Sequence, residues 1–297
     1  MESNPSRPPL TTDHYPPTTL PIGGLQVTLY GLTTLPPTPC TITLVSLLHP
    51  RLETASYMAP LASSILSAAT TPTLCLSFDQ RNHGTRLLDP LGNETWRGGN
   101  PKHALDLFSC YQGTAMDLSH IIDFLQPSTF PNSEHTITRH IVAGVSLGGH
   151  AAWVAAVTDP RIEAAGVIIG CPDFCALMEH RAGKSRLEAF TVGGSTQFPK
   201  TLLDTVRRYD PAAMGVDEAV RRLKGKKVLC LSGGVDKLVP YECSKRFLGE
   251  LKEKGVNVVD RVFDGVGHEC TDEMVKELAG WVDAVVAGKG GKGGGEL

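Results

Sequence analysis

The sequence predicts an α/β fold, a mostly parallel central sheet with helices on both faces, and three observations predict it. Short β-rich runs alternate with helical patterns along most of the 297 residues, the signature of parallel strands joined by crossover helices. Several of the strand runs are continuously apolar rather than alternating, as strands buried on both faces are. Two long stretches break the rhythm, Asp79–Cys110 and residues 171 to about 224. Both leave the sheet at a strand's C-terminal end, where open α/β sheets hold ligands.

In chain order, strands are expected at Leu25–Tyr30, Thr41–Leu48, Thr73–Phe78, His140–Val145, Ala165–Ile169, Lys227–Ser232 and Val256–Phe263. Helices are expected at Thr54–Ala69, Thr114–Leu125, Leu147–Val157, Glu242–Lys254 and Asp272–Val286. The second of these carries Leu118, Ile121, Ile122 and Leu125 at helical spacing. Residues 1–21 are Pro/Thr-rich and read as an extended or disordered arm, and residues 288–297 as a Gly/Lys-rich tail. Between them, 22–287 reads as one domain with a short helical lid insertion at about 171–224. A single domain of this length buries about 75% of its unfolded surface and needs no covalent staple. Phe174, Leu177, Met178, Phe190 and Phe198 in the lid read as a small core of its own.

The formal net charge of -3 argues against nucleic acid and against an anionic membrane surface as partners, since both favour a basic face. No apolar run is long enough for a transmembrane helix, and the N-terminus lacks the apolar stretch of a signal peptide. Cys75 and Cys230 lie inside apolar strand runs, where free cysteine acts as a small hydrophobe. These features set the expectation of a cytoplasmic protein with reduced thiols. Cys171 and Cys175 lack a second ligand pair at zinc-site spacing, so no metal is expected.

The chemistry-bearing signal is Gly144-Val145-Ser146-Leu147-Gly148-Gly149. A G-x-S-x-G pattern gains meaning from context, and here it follows an apolar strand and precedes an Ala-rich helical run. The serine then occupies a tight turn with its Oγ above the sheet, and glycines on either side let strand and helix approach. The new helix aims its N-terminal N–H groups where negative charge develops. Ser146 is the expected nucleophile.

Such a turn predicts an acid after a later strand and a histidine near the C-terminus. Asp236 follows the strand Lys227–Ser232 in Gly233-Gly234-Val235-Asp236, and His268 follows the last strand in Val266-Gly267-His268-Glu269. His268 is the expected base and Asp236 the acid that orients it. Asp264 and Glu269 are rival acids, but each stands too near His268 in sequence to reach around its ring. Two backbone N–H groups are needed for the oxyanion. Leu147 supplies the first, and the loop Leu48-His49-Pro50-Arg51-Leu52 the second. Pro50 has no N–H, so Arg51 is the candidate and Leu52 the next, with His49 bracing the loop.

These motifs, with Gly234-x-Asp236-x-x-Val239-Pro240, Gly267-His268-Glu269 and Phe78-Asp79-x-Arg81-Asn82-His83-Gly84, resemble the α/β-hydrolase superfamily. More narrowly they are similar to small prolyl-oligopeptidase-related serine carboxylesterases that lack a propeller domain. The resemblance spans about residues 40–287 and implies the α/β-hydrolase fold, hydrolysis of a carboxylic ester and no cofactor. His49-Pro50 departs from the usual His-Gly of that loop. The Asp79–Gly84 loop reads as a structural corner beside the nucleophile turn, with His83 or Arg86 as carboxylate-binding groups the lesser reading.

The expected function is hydrolysis of a small-molecule ester through an acyl-enzyme on Ser146. The same triad serves a thioesterase or a tailoring hydrolase acting on a thioester or biosynthetic intermediate. A non-catalytic ligand-binding protein is the alternative of another class, and an intact triad argues against it. Arg181, Lys184 and Arg186 read either as contacts for an acidic substrate or as a solvated helix face.

Overall fold

The computed structural model describes residues 14–288, so residues 1–13 of the arm and the tail from 289 lie outside the described residues. The chain builds an eight-stranded sheet in the order β1-β2-β4-β3-β5-β6-β7-β8. Its strands are β1 (Thr18–Ile22), β2 (Leu25–Tyr30), β3 (Thr41–Leu48), β4 (Thr73–Phe78), β5 (Thr136–Val145), β6 (Ile162–Ile168), β7 (Lys227–Gly233) and β8 (Asn257–Phe263). The first two run antiparallel, β2 against both β1 and β4. The other strands pair in parallel.

All seven expected strands form, and one is added. β1 lies within the Pro/Thr-rich arm, where Pro21 pairs with Gln26. Proline removes a donor that a central strand requires, so its place is an edge, and β1 borders only β2.

The helices are α1 (Ala59–Ala68), α2 (His103–Thr129), α3 (Leu147–Thr158), α4 (Phe174–Lys184), α5 (Lys200–Tyr209), α6 (Val216–Leu223), α7 (Glu242–Glu253) and α8 (Asp272–Val286). They divide between two faces. Leu61, Ile65, Met274, Leu278 and Val282 of α1 and α8 share one apolar cluster with Val45, Ile141 and Leu229 of the sheet. Helices α2, α3 and α7 bury the opposite face, where Phe108, Leu118, Trp153 and Phe247 are fully or nearly fully enclosed. α2 begins eleven residues before the expected start at Thr114. Gly113 suggests a break there, yet a Cβ on it would lie 2.5 Å from Arg81 Cδ. The glycine is room for a crossing side chain.

The lid expectation needs correction. Phe174, Leu177, Met178 and Phe198 do not form a separate core but join the cluster under α2 and α3. Phe174 lies 5.0 Å from Phe108 and 5.8 Å from Tyr111, both on α2. Phe190, half-buried, packs against Trp96 and Phe198. Helix α6 packs on α3 and α7 before the chain enters β7, so it serves as the crossover into that strand. Within this stretch His180, Arg181, Lys184 and Ser185, at the end of α4, face a cavity shared with Ser146.

The junction of α2, α3 and β6 is tied by Asp159, which caps α3 from the turn into β6. Its carboxylate accepts hydrogen bonds from Ser119 Oγ at 2.7 Å, Arg161 Nη2 at 2.7 Å and the Arg161 backbone N–H at 2.9 Å. Burial opposes its ionisation, but the bonds from Arg161 and Ser119 and the Arg161 charge outweigh burial and bring the carboxyl down to about 2. A depressed carboxyl stabilises the fold above its unfolded value of about 3.9. That stability is lost as pH falls from there through about 2. The Asp159→Asn variant is therefore expected to be less stable at neutral pH, with the difference from wild type shrinking below pH ~4. Urea unfolding of both proteins across that range measures it.

Candidate active site

The turn from β5 into α3 is held open by glycine on both sides. A Cβ on Gly144 would strike the carbonyl of Gly148, and one on Gly148 would strike the carbonyl oxygen of Leu48 at the end of β3. The helix can start this close to two strands only because neither residue has a side chain. Between them Ser146 takes φ 53° and ψ -110°, a backbone region that L-residues rarely occupy. Its N–H donates to Ile168 O at 2.9 Å and its carbonyl accepts from the His150 N–H at 3.0 Å. These bonds pin the residue with Oγ standing above the sheet. Leu147 opens α3, so its N–H is among the four without an intrahelical acceptor.

Two further loops converge on Ser146. After β7, Gly234 N–H donates to Phe263 O at 2.8 Å and Val235 N–H to Val266 O at 3.0 Å. Gly233 sits so close to the carbonyls of Val266 and Gly267 that a Cβ would collide with both. The loop after β7 and the loop after β8 are thus sewn together by backbone alone, which delivers Asp236 and His268 side by side. His268 Nδ1 lies 2.7 Å from Asp236 Oδ2, and His268 Nε2 lies 2.8 Å from Ser146 Oγ. The other carboxylate oxygen of Asp236 accepts from Leu238 N–H at 2.8 Å and Val239 N–H at 3.0 Å. Burial would raise the Asp236 carboxyl, but the bond from His268, its charge and the two N–H groups hold it below the usual carboxylate range. An ionised Asp236 accepts from Nδ1–H, which leaves the Nε2 lone pair facing Ser146.

The structure thus brings Ser146, Asp236 and His268 together, and it sets Leu147 and Arg51 beside them. The turn after β3 carries Arg51 and then Leu52 at φ 67°. His49, wholly buried, braces that turn: Nε2 accepts from Gln80 N–H at 3.0 Å while Nδ1 donates to Pro50 O at 2.8 Å. Burial first, with the His83 charge, pulls its imidazole down to about 4, against the bond to Pro50 O. The Asp79–Gly84 corner lies next to it. Asp79 accepts from the N–H groups of Ala55 and Thr85, and Arg86 pairs with Asp117 at 2.9 Å.

A cavity of about 350 Å³ opens over Ser146 and His268, walled by Arg51, Trp96, His103, His180, Arg181 and Leu238 among others. Trp96 and His103 carry no signal in the sequence. They sit in the strandless Asp79–Cys110 stretch, and no spacing pattern marks them. Arg181 and Lys184 of α4 do line the cavity, whereas Arg186 does not. Among the described residues no cluster of His, Cys, Asp and Glu is arranged to hold a metal ion, and no helix is long and apolar enough to cross a membrane.

The close approach at Gly148 makes the turn testable. Gly148→Ala pushes α3 off the end of β3, and overpacking of this kind costs about 1–3 kcal/mol. The variant is expected to unfold at lower urea concentration and to react more slowly with a serine-directed fluorophosphonate than wild type.

No family model and no curated protein matches the sequence; the likenesses are structural. TT1662 from Thermus thermophilus superposes with a TM-score of 0.66 at 18% identity, over 91% of this chain and 97% of that one. Est1E from Butyrivibrio proteoclasticus, solved with ferulic acid bound, gives 0.55 at 16% identity, over 92% and 98%. The Pyrococcus furiosus esterase Pf2001 gives 0.53 at 17% identity, over 93% and 91%. With these likenesses, its strand order and the serine turn between β5 and α3, the chain has the α/β-hydrolase fold.

Proposed function

We propose that the protein is a serine hydrolase that cleaves a carboxylic ester through an acyl-enzyme on Ser146. The observation that carries this reading is the unbroken relay Ser146–His268–Asp236, at 2.8 and 2.7 Å, opening into the cavity. His268 Nε2 takes the Ser146 proton as Oγ bonds to the ester carbonyl carbon. The imidazolium then gives that proton to the departing alkoxide, which leaves as alcohol. Water, activated by the same nitrogen, attacks the acyl carbon and releases the acid, and the proton returns to Ser146. Asp236 stabilises the imidazolium in both halves. The N–H of Leu147 and that of Arg51 are assigned to the oxyanion. No cofactor enters the scheme.

The esterase Pf2001 among the structural neighbours agrees with this reading, its 17% identity speaking to fold. All eight cysteines are free, which supports a reducing, cytoplasmic setting. The partner we assign is a small-molecule substrate rather than a nucleic acid or a membrane.

Fluorophosphonate labelling of the purified protein, with turnover of 4-nitrophenyl butyrate, tests the assignment. Wild type is expected to label and turn over, and Ser146→Ala and His268→Ala to lose both. Asp236→Asn keeps the geometry but leaves the wrong tautomer, and is expected to lower kcat by about 10⁴-fold. A well-folded wild type that neither labels nor turns over ester would sink the hydrolase reading in favour of a ligand-binding protein.

A further inference from the structure

The cavity over Ser146 is lined by Arg51, Arg97, Arg181, Lys184 and Lys237, and by no aspartate or glutamate. In a chain of net charge -3 that is a local excess of cations, and two of the five are not solvated surface groups. Arg51 and Arg181 are both half-buried, and burial disfavours the charged form of each. Burial, followed by the Arg51 charge, pulls Arg181 down to about 10.

Elsewhere the chain treats half-buried guanidiniums differently. Arg86 meets Asp117, Arg139 meets Glu163, Arg161 meets Asp159 and Arg222 meets Glu218. Arg51 and Arg181 instead use neutral acceptors. Arg51 Nη1 donates to Asn93 O, and Arg181 donates to His103 Nε2 at 3.1 Å and Leu238 O at 3.5 Å. His103 can accept because its Nδ1–H is spent on Glu94 O at 2.9 Å. Burial and then the charges of Arg181 and Arg51 push its pKa down to about 3, so it stays neutral. Trp96 stacks edge-on against that imidazole at 5.1 Å. The histidine therefore positions a guanidinium without neutralising it.

A guanidinium carries five N–H donors, and these bonds use only part of that supply. The charges of Glu94 and Asp236 favour the cationic forms of Arg51 and Arg181, but neither carboxylate hydrogen-bonds to its guanidinium, and two partly desolvated cations facing one cavity carry a cost that an anionic ligand removes. A flat carboxylate matches the guanidinium fork.

We propose that the substrate is an ester carrying a free carboxylate, received by Arg51 and Arg181 while its scissile carbonyl meets Ser146; this rests on the hydrolase reading above.

Two measurements test it together. The first compares kcat/KM for 4-nitrophenyl hydrogen glutarate with 4-nitrophenyl valerate, which differ in a terminal carboxylate for methyl, after correction for spontaneous hydrolysis. The second is calorimetric binding of glutarate to Ser146→Ala protein with Arg181 intact or changed to Gln. Wild type is expected to favour the glutarate ester by about tenfold or more. Arg181→Gln and Arg51→Gln are each expected to remove most of that preference, with melting temperature checked for each. Glutarate is expected to bind Ser146→Ala and to lose affinity by a similar factor once Arg181 is replaced. Turnover of valerate without preference for glutarate, and no glutarate binding, would overturn the carboxylate subsite and leave ester hydrolysis standing. Glutarate binding that depends on Arg181, with neither ester turned over and no fluorophosphonate labelling, would keep the subsite and overturn the hydrolase reading. Inorganic phosphate binding as tightly as glutarate would overturn the choice of carboxylate.

Discussion

The site depends on how closely backbone meets backbone where β5 ends. Gly148 rests against the Leu48 carbonyl of β3, and Gly144 against the first turn of α3. Three elements meet there with no side chain between them, and the price is a serine at φ 53°. Such a conformation persists only where its surroundings over-determine it. Here the Ile168 carbonyl holds the serine N–H and the helix holds its carbonyl. The same approach sets the β3 turn, and with it Arg51, next to the serine. The second close contact, Gly233 against Val266 and Gly267, does the equivalent work for the acid and base. Both distances of the relay follow from two glycine contacts and a handful of backbone bonds, so the side chains themselves carry little of the positioning.

That division explains which parts of the molecule were legible in the sequence. Glycines at close approaches and apolar strand runs are local signals, so the seven main strands, Ser146, Asp236 and His268 were all readable from position and order. β1 was hidden because Pro21 reads as punctuation, and only an edge position, a property of the assembled sheet, makes it tolerable. The start of α2 was hidden because Gly113 reads as a break, although it makes room for Arg81. The lid aromatics look self-contained in the sequence because nothing local shows that Phe174 meets Phe108 and Tyr111 of a distant helix. Most of the cavity wall was illegible for the same reason. Arg51, His103 and Arg181 come from three separate segments, and their meeting has no signature in any one of them.

The electrostatics of the site place opposite demands on its two halves. In the proposed mechanism His268 becomes an imidazolium, and Asp236, its side chain fully enclosed, would supply the counter-charge from behind. Because it is enclosed and hydrogen-bonded on both oxygens, Asp236 offers the cavity no exposed carboxylate. The cavity wall is therefore cationic from within. In the proposed reaction a substrate carboxylate would sit between the two guanidiniums while the acyl end meets Ser146. A group held alike before and during acyl transfer lowers the free energy of bound substrate and of transition state together, which strengthens binding without speeding the chemical step. Discrimination between an acidic ester and a neutral one of the same length would then appear mainly in KM, and the cationic wall would act as a selector of substrate while the relay behind it supplies the rate.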